Sequence, residues 1–240
     1  MKIDYDSLAR EYAQHRQVQP KVLENLISVG KLDPASQVLD VGCGTGNYAV
    51  ALEKTIGCTC WGIEPSEQML STARARTQRA HFKLGRAEQL DYPAEFFDVV
   101  FSVYVIHHVS NRPKYFPEAY RVLKQCGKVC TATDSEEIIR QRQPLSVYFP
   151  ETIEKELQRY PGASEVRQMM RQAGFHNLEE TVVEFAYPLT DIRIYRDKAF
   201  SCLHLISPEA FERGIRRMEE DLQIAPIQCV SRYLLLWGAK

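Results

Sequence analysis

Hydrophobic and polar positions alternate along the first half of the chain between short apolar runs and longer amphipathic segments. The apolar runs predict strands, and the segments between them predict helices. The predicted strands cover residues 37–41, 58–63, 81–84, 97–103 and 127–133, and the predicted helices cover 5–29 (divided by Pro20), 48–54, 66–76 and 113–123. This order is typical of a mostly parallel sheet with helices on both faces, so we predict an α/β fold.

The pattern changes after residue 134, where the chain becomes more polar. Pro144, Pro150 and Pro161 interrupt residues 135–162, for which we predict no continuous element. The remaining predicted elements are a helix over 164–173, a strand over 181–187, a mostly helical stretch over 192–222 and a final strand over 230–237. No internal repeat and no clear linker divides the chain, which favours a single domain over residues 1–240.

A glycine-rich turn follows the first predicted strand. Glycine occupies positions 42, 44 and 46, and the next helix begins directly after them. Glycine allows a positive φ and a close backbone approach to a ligand, and the helix N-terminus leaves N–H groups pointing at that ligand. The dinucleotide pattern G-x-G-x-x-G requires a glycine where Asn47 stands. A tight turn that binds nothing is the alternative.

Two acidic residues indicate which ligand this turn accepts. Asp40, two residues before the first glycine, would repel a pyrophosphate but suits an ammonium group. S-adenosylmethionine (SAM) carries both an ammonium and a sulfonium. Glu64 ends the second predicted strand, where a carboxylate accepts hydrogen bonds from ribose hydroxyls. Glu64 is also consistent with a solvated acid at a strand end.

Composition excludes several classes of partner. The 240 residues carry a formal net charge of −1 and no basic stripe, so we predict no nucleic-acid partner. No apolar run approaches the roughly 20 residues of a membrane span, and the N-terminus lacks a signal sequence, so we predict a cytoplasmic protein. Seven scattered cysteines indicate free thiols. Cys58 and Cys60 share one strand face, but without further ligands they favour burial over metal binding, so we predict no metal site.

The segment VLDVGCGTG resembles the first motif of class I SAM-dependent methyltransferases, especially the type 11, small-molecule branch that includes ubiquinone and menaquinone biosynthesis enzymes. The resemblance covers roughly residues 5–133. It implies a doubly wound, Rossmann-like fold with a seven-stranded, mostly parallel sheet, an antiparallel last strand and helical lid elements. It also implies SAM as cofactor and S-adenosylhomocysteine (SAH) as product.

The resemblance divides the single domain into three parts. Residues 1–30 are expected to form a helical lid, 31–134 the cofactor-binding core, and 135–240 the substrate side with a helical insertion at 190–224. The segment YDSLAREYAQHR resembles the family's N-terminal segment, whose aromatic residues close over the cofactor and whose arginine reaches the methionine carboxylate. Tyr5, Tyr12 and Arg16 stand at the matching places.

Three further motifs complete the implied site. GIEPSEQML resembles the second motif, which places Glu64 on the ribose and Pro65, Ser66 and Met69 against the adenine. GRAEQLDYP resembles the segment that contacts the adenine amino group, although Arg86 replaces its usual aspartate. FDVVFSVYVIHHV resembles the fourth-strand motif beside the transferred methyl group. The implied cofactor contacts are Tyr5, Tyr12, Arg16, Asp40, Gly42, Cys43, Gly44, Asn47, Glu64, Pro65, Ser66, Met69, Arg86, Ala87, Glu88 and Ser102.

Methyl transfer from SAM is an in-line displacement that depends mainly on alignment and on exclusion of water. A general base is required only when the nucleophile carries a proton of high pKa. His107 is the first candidate for that base, followed by Tyr104 and Tyr12, and a packing role for His107 is the alternative. His108 points elsewhere than its neighbour, so the two do not share a metal.

Several functions stay open at this point. The fourth strand is not followed by N-P-P-[YF], and the near-neutral charge favours a small-molecule acceptor, for a chain that is a monomer or a homodimer. The acceptor atom is O, N, C or S. The alternatives are a SAM-binding protein of the same fold with another reaction or a regulatory role, and, more distantly, a nicotinamide dehydrogenase.

Overall fold

The computed structural model describes residues 17–240, in which seven strands form one sheet in the order β3-β2-β1-β4-β5-β7-β6. The strands are β1 (Gln37–Val41), β2 (Thr59–Glu64), β3 (His81–Leu84), β4 (Phe97–Val103), β5 (Leu123–Thr133), β6 (His176–Leu189) and β7 (Ile227–Ala239). The pairs among β1 to β5 are parallel, whereas β7 runs antiparallel to both neighbours. The predicted doubly wound, mostly parallel sheet with an antiparallel last strand is thus confirmed.

Helices connect the strands and cover both faces. They are α1 (Pro20–Gly30), α2 (Asn47–Ile56), α3 (Glu67–Arg76), α4 (Arg112–Val122), α5 (Glu136–Gln141), α6 (Leu145–Tyr148), α7 (Thr152–Arg159), α8 (Ala163–Gln172), α9 (Arg193–Arg196) and α10 (Pro208–Ile224). Short 3-10 turns lie at Ile106–His108 and Ser201–His204. Of the helix predicted over 5–29, the structure confirms the part from Pro20 onward, residues 17–19 are not helical, and the earlier part lies outside the described residues.

The strand alternation separates two cores. Leu39 and Val41 of β1 face a cluster that α4 and α8 cover, while Val38 faces a second cluster beneath α1 and α2. A third cluster joins α6, α9 and α10 to the start of β7. The strand order reverses direction between β1 and β4, and the carboxyl edge of the sheet at such a reversal is where open α/β folds bind ligands.

The largest differences from the predicted elements lie at the far side of the sheet. β6 extends over His176–Leu189, twice the predicted length, because its residues pair with β7 although most of them are exposed. An exposed edge strand lacks the apolar pattern from which its ends would be predicted. Residues 135–162 form three short helices rather than an irregular segment.

The structure of the described residues also tests for membrane-spanning helices and for metal-binding groups. Between Gln17 and Lys240, no helix combines the length and the apolar character needed to cross a bilayer. The same part of the chain contains no group of three or more histidine, cysteine or acidic side chains arranged to hold a metal ion.

Candidate functional site

The glycine loop leaves the carboxyl end of β1 and leads into α2. Gly42, Gly44 and Gly46 have φ of +71°, +53° and +75°, a region that favours glycine. A Cβ on Gly42 would lie 2.5 Å from Cγ2 of Val105, so this position excludes any side chain. The N–H groups of Gly42 and Cys43 donate to the carbonyl of Ile63 at 2.7 and 3.1 Å, which ties the loop to β2.

Glu64 holds the loop from the end of β2. Its Oε2 accepts from the Gly44 N–H at 3.0 Å, and its Oε1 accepts from the Ser66 N–H at 3.1 Å. Ser66 in turn caps α3, because its hydroxyl accepts from the Met69 N–H at 3.2 Å. The carboxylate therefore fixes the shape of the loop, and its contact with a ribose stays a prediction.

Asp40 is a buried acid beside the same loop. It is 4% exposed, and no group among residues 17–240 donates a hydrogen bond to its carboxyl. Burial, and then the negative charge of Glu64, raises the pKa of Asp40 well above its usual range. A positively charged ligand group at this point would remove most of that electrostatic cost.

Two cavities meet at Gly42. The first, of about 540 Å³, is called the loop cavity. It is lined by Gln17, Asp40, Gly42, Cys43, Gly44, Thr45, Asn47, Tyr48, Val103, Tyr104 and Tyr233. The second, of about 390 Å³, is called the edge cavity. It is lined by Gly42, Ile63, Pro65, Gly85, Arg86, Ala87, Glu88, Val105, His108, Val109 and Ser110. The two cavities share Gly42, lie beside the carboxyl ends of β1, β2 and β4, and are together called the groove.

Most of the predicted cofactor contacts in the described residues lie in or beside these two cavities. Four of them line neither cavity and are buried at 7%, 5%, 4% and 1% exposure: Glu64, Ser66, Met69 and Ser102. Glu88 lines the edge cavity, but its Oε1 accepts from the N–H groups of Ser110 and Asn111 at 2.9 and 3.1 Å. Tyr5, Tyr12 and Arg16 lie outside the described residues.

The two adjacent histidines differ from their predicted placement. His108 lines the edge cavity, whereas the ring of His107 stacks on Tyr160 with centroids 3.9 Å apart. Within the 3-10 turn that begins at Ile106, the two rings also lie against each other, with centroids 3.8 Å apart and an interplanar angle of 48°, so the expectation that they point in different directions is wrong. The packing role for His107 therefore has a direct structural partner, and its role as a base stays a prediction.

Tyr104 lies in the loop cavity, but the structure argues against its predicted role as a general base. Its hydroxyl donates to Asp134 Oδ1 at 3.0 Å. Burial, and then the charge of Asp134, raises the pKa of Tyr104 well above its usual value. A phenol in this environment stays protonated near neutral pH, so it has no basic form to offer.

Sequence reasoning missed Tyr48 and Tyr233, which line the loop cavity, and Asp134, the buried partner of Tyr104. Tyr48 follows the glycine loop directly and would have been found by extending that motif by one turn. Asp134 follows β5 as Glu64 ends β2, a parallel that the pattern of strand-end acids could have revealed. Tyr233 carries no such signal, since it reaches the loop cavity only through the pairing of β7 with β5.

A native-state thiol titration is expected to modify one of the seven cysteines rapidly, because Cys126 is the exposed one. Cys43 is buried in the glycine loop, and burial raises the pKa of its thiol, which keeps it unreactive. Cys126→Ser should remove the fast phase. Rapid reaction of several thiols in the folded protein would contradict this account.

Comparisons with known proteins indicate the family to which the chain belongs. A family model described as a methyltransferase domain matches residues 39–131. Malonyl-[acyl-carrier protein] O-methyltransferase of Serratia marcescens is 32% identical over 129 residues, which are 54% of this chain and 50% of that protein. Demethylmenaquinone methyltransferase of Oceanobacillus iheyensis is 31% identical over 166 residues, which are 59% of this chain and 70% of that protein.

A solved structure shows the same fold at lower identity. Phosphoethanolamine N-methyltransferase 2 of Haemonchus contortus, in complex with phosphomonomethylethanolamine and SAH, superposes with a TM-score of 0.64 at 21% identity, covering 99% of this chain and 58% of that chain. The fold, the glycine loop and the similarity to the demethylmenaquinone enzyme all indicate the same family. The chain belongs to the class I SAM-dependent methyltransferase family.

Proposed function

We propose that this protein binds SAM in the joined cavities and transfers its methyl group to a small-molecule acceptor by in-line displacement. The observation that carries the proposal is Asp40, a buried carboxyl that accepts no hydrogen bond from residues 17–240 and that lines the loop cavity beside Gly42 and Gly44. An acid in this position destabilises a protein unless a cation meets it. The ammonium group of SAM is such a cation.

The other residues fit the remaining parts of SAM. We assign the ribose hydroxyls to Glu64, which is bonded to the glycine loop, and the adenine to the edge cavity, which Pro65, Arg86 and Ala87 line. We further propose that Tyr5, Tyr12 and Arg16, outside the described residues, close over the cofactor. Met69 and Ser102 would act through the packing beneath the groove rather than by contact.

Bound SAM supplies an electrophilic methyl group on its sulfonium. The chain's own part is to hold the reacting groups in line and to exclude water, because alignment accounts for much of the rate of such displacements. His107 is retained as the candidate base for acceptors whose nucleophile carries a tightly held proton, and Tyr104 is not. The catalytic role of Tyr12 stays a proposal.

A small-molecule acceptor is favoured by the near-neutral charge of the chain and by the apolar residues around the end of β4. The quinone named for the Oceanobacillus relative and the acyl-carrier substrate named for the Serratia relative are the first acceptors to test. We propose that the protein acts as a monomer or a homodimer.

A thermal-shift measurement tests the cofactor directly. SAM and SAH at about 100 times their dissociation constants should each stabilise the fold by about 2.7 kcal/mol, while NADH should have no effect. A shift with NADH alone would refute the proposal.

Transfer itself is tested by SAH release in the presence of candidate acceptors. SAH formation that depends on the acceptor supports methyl transfer. Tight SAM binding without SAH formation across quinol, amine, thiol and carboxylate acceptors would instead favour a binding or regulatory role.

A further inference from the structure

Arg86 lies two residues after β3 and lines the edge cavity. Its backbone is held in place, because the Gly85 N–H donates to the carbonyl of Glu64 at 3.1 Å and the Gln89 N–H donates to the carbonyl of Arg86 at 3.2 Å. Its side chain is exposed, and no acid among residues 17–240 pairs with it. The guanidinium group is therefore available to an occupant of the cavity.

A wider hollow lies beside the edge cavity. It measures about 1370 Å³ and is called the outer cavity. Lys83 lines the outer cavity, but Asp91 pairs with it. Arg86 lines both cavities, so its unpaired positive charge lies where they meet, and its long side chain has space on either side in which to move.

Glu88 provides an acceptor in the same place, since it too lines both cavities. Its Oε1 accepts from the N–H groups of Ser110 and Asn111 at 2.9 and 3.1 Å, which holds the carboxylate against the segment before α4. An ionised carboxylate only accepts hydrogen bonds, and a guanidinium group only donates them. The edge cavity therefore presents a fixed acceptor and a movable donor.

A purine base is distinguished by the donors and acceptors on its edge. In adenine the ring nitrogen N1 accepts and the 6-amino group donates, whereas in a 6-oxopurine the oxygen O6 accepts and N1–H donates. A fixed acceptor with a movable donor fits both patterns. Glu88 can accept from the 6-amino group or from N1–H, and Arg86 can donate to the acceptor that remains, as arginine does at O6 and N7 of guanine.

We propose that Arg86 makes the edge cavity accept a 6-oxopurine nearly as well as adenine. The inference rests on the proposed function, in which the adenine of SAM or SAH occupies this cavity. Without Arg86, the O6 of a bound 6-oxopurine would lose its donor, and a binding site discriminates strongly against a polar group that it leaves unpaired. Arg86 contacts the base rather than the reacting atoms, so it determines specificity and takes no part in the transfer.

Isothermal titration of SAH and its 6-oxo analogue, S-inosylhomocysteine, measures this tolerance as the ratio of two affinities. In the wild-type protein the two affinities should agree within about tenfold, the equivalent of about 1.4 kcal/mol. In Arg86→Ala the affinity for S-inosylhomocysteine should fall about 10- to 100-fold relative to that for SAH, because one base contact is lost. Arg86→Asp should increase the difference further, and Arg86→Lys, which keeps a charged donor, should restore most of the tolerance.

The matched control is Lys114→Met, which removes a positive charge from the outer cavity but not from the edge cavity. It should leave the ratio unchanged. The proposal is overturned if the wild-type protein already prefers SAH by much more than tenfold, or if Arg86→Ala weakens both ligands alike or neither, because a purely structural role of Arg86 affects both equally. A wild-type protein that binds neither ligand refutes the proposed function instead, a result distinct from an unchanged ratio.

Discussion

Replacing Gly42 with alanine is expected to lower the free energy of unfolding by about 3 kcal/mol and to weaken SAM binding at least about 100-fold. The added Cβ would lie 2.5 and 2.8 Å from the two Cγ atoms of Val105, and φ is +71°. The clash and the backbone strain act together, so the loop must move. A shift of the loop displaces the cavity wall shared by both halves of the groove. Chemical denaturation and isothermal titration measure the two effects.

Gly57 provides a matched control for the cost of placing alanine in a left-handed backbone. It ends α2 with φ of +80°, and nothing lies within 4 Å of a Cβ built there. Gly57→Ala should therefore cost only about 1 kcal/mol of left-handed strain and leave SAM affinity unchanged. If the two alanine variants were equally stable and bound SAM equally well, the close approach of Val105 would affect neither stability nor SAM affinity.

A second-site change separates the clash from the strain. Val105→Ala removes both Cγ atoms that the new methyl group would meet. In a double-mutant cycle, Gly42→Ala combined with Val105→Ala should bind SAM more tightly than the two single effects predict. Strict additivity would show that backbone strain alone displaces the loop.

The central part of the fold could be predicted from sequence because its signals are local. β1, the glycine loop and Glu64 lie within 28 consecutive residues, and each position is specified by its own chemistry, from positive φ at Gly42 to a capped helix at Ser66. The buried strand β4 is mostly apolar and was predicted with the observed bounds, Phe97–Val103. Local patterns of this kind do not depend on distant residues.

The remainder depends on contacts between distant segments. Tyr233 reaches the loop cavity because β7 inserts beside β5, with Thr133 opposite Leu234. Arg142 pairs with both Asp134 and Glu156 and so joins a segment that contains three short helices. In the sequence, the charges of these helices resemble those of a solvated surface. Single-sequence patterns carry no information about such pairings, so neither the wall at Tyr233 nor the support of Tyr104 was predicted.

Replacing Asp40 with asparagine is expected to stabilise the protein and to weaken SAM binding about 10- to 100-fold, the range of a hydrogen bond to a charged group. Burial raises the pKa of Asp40, so the folded state holds its proton more tightly than the unfolded state, whose value is near 3.9. Below that value both states are protonated, and the carboxyl has no net effect. As pH rises through the folded-state pKa, ionisation of the buried group destabilises the fold.

The stability difference and the SAM affinity therefore depend on pH in the same direction. The stability advantage of Asp40→Asn should be largest at neutral pH and should shrink as pH falls toward the unfolded-state value. Wild-type SAM affinity should decrease over the same descent, because the ammonium group needs the ionised carboxylate. In Asp40→Asn that part of the pH dependence should disappear.

Glu118 is the matched acid for this experiment, because Arg121 lowers its pKa and the sign is reversed. Its Oε2 accepts from the Leu90 N–H at 2.8 Å, away from both cavities. Glu118→Gln should destabilise the protein at neutral pH and leave SAM affinity unchanged. If Asp40→Asn also destabilised the fold and kept full SAM affinity, Asp40 would be a structural acid whose partner is not the cofactor, and the ammonium group would have to be bound elsewhere in the groove.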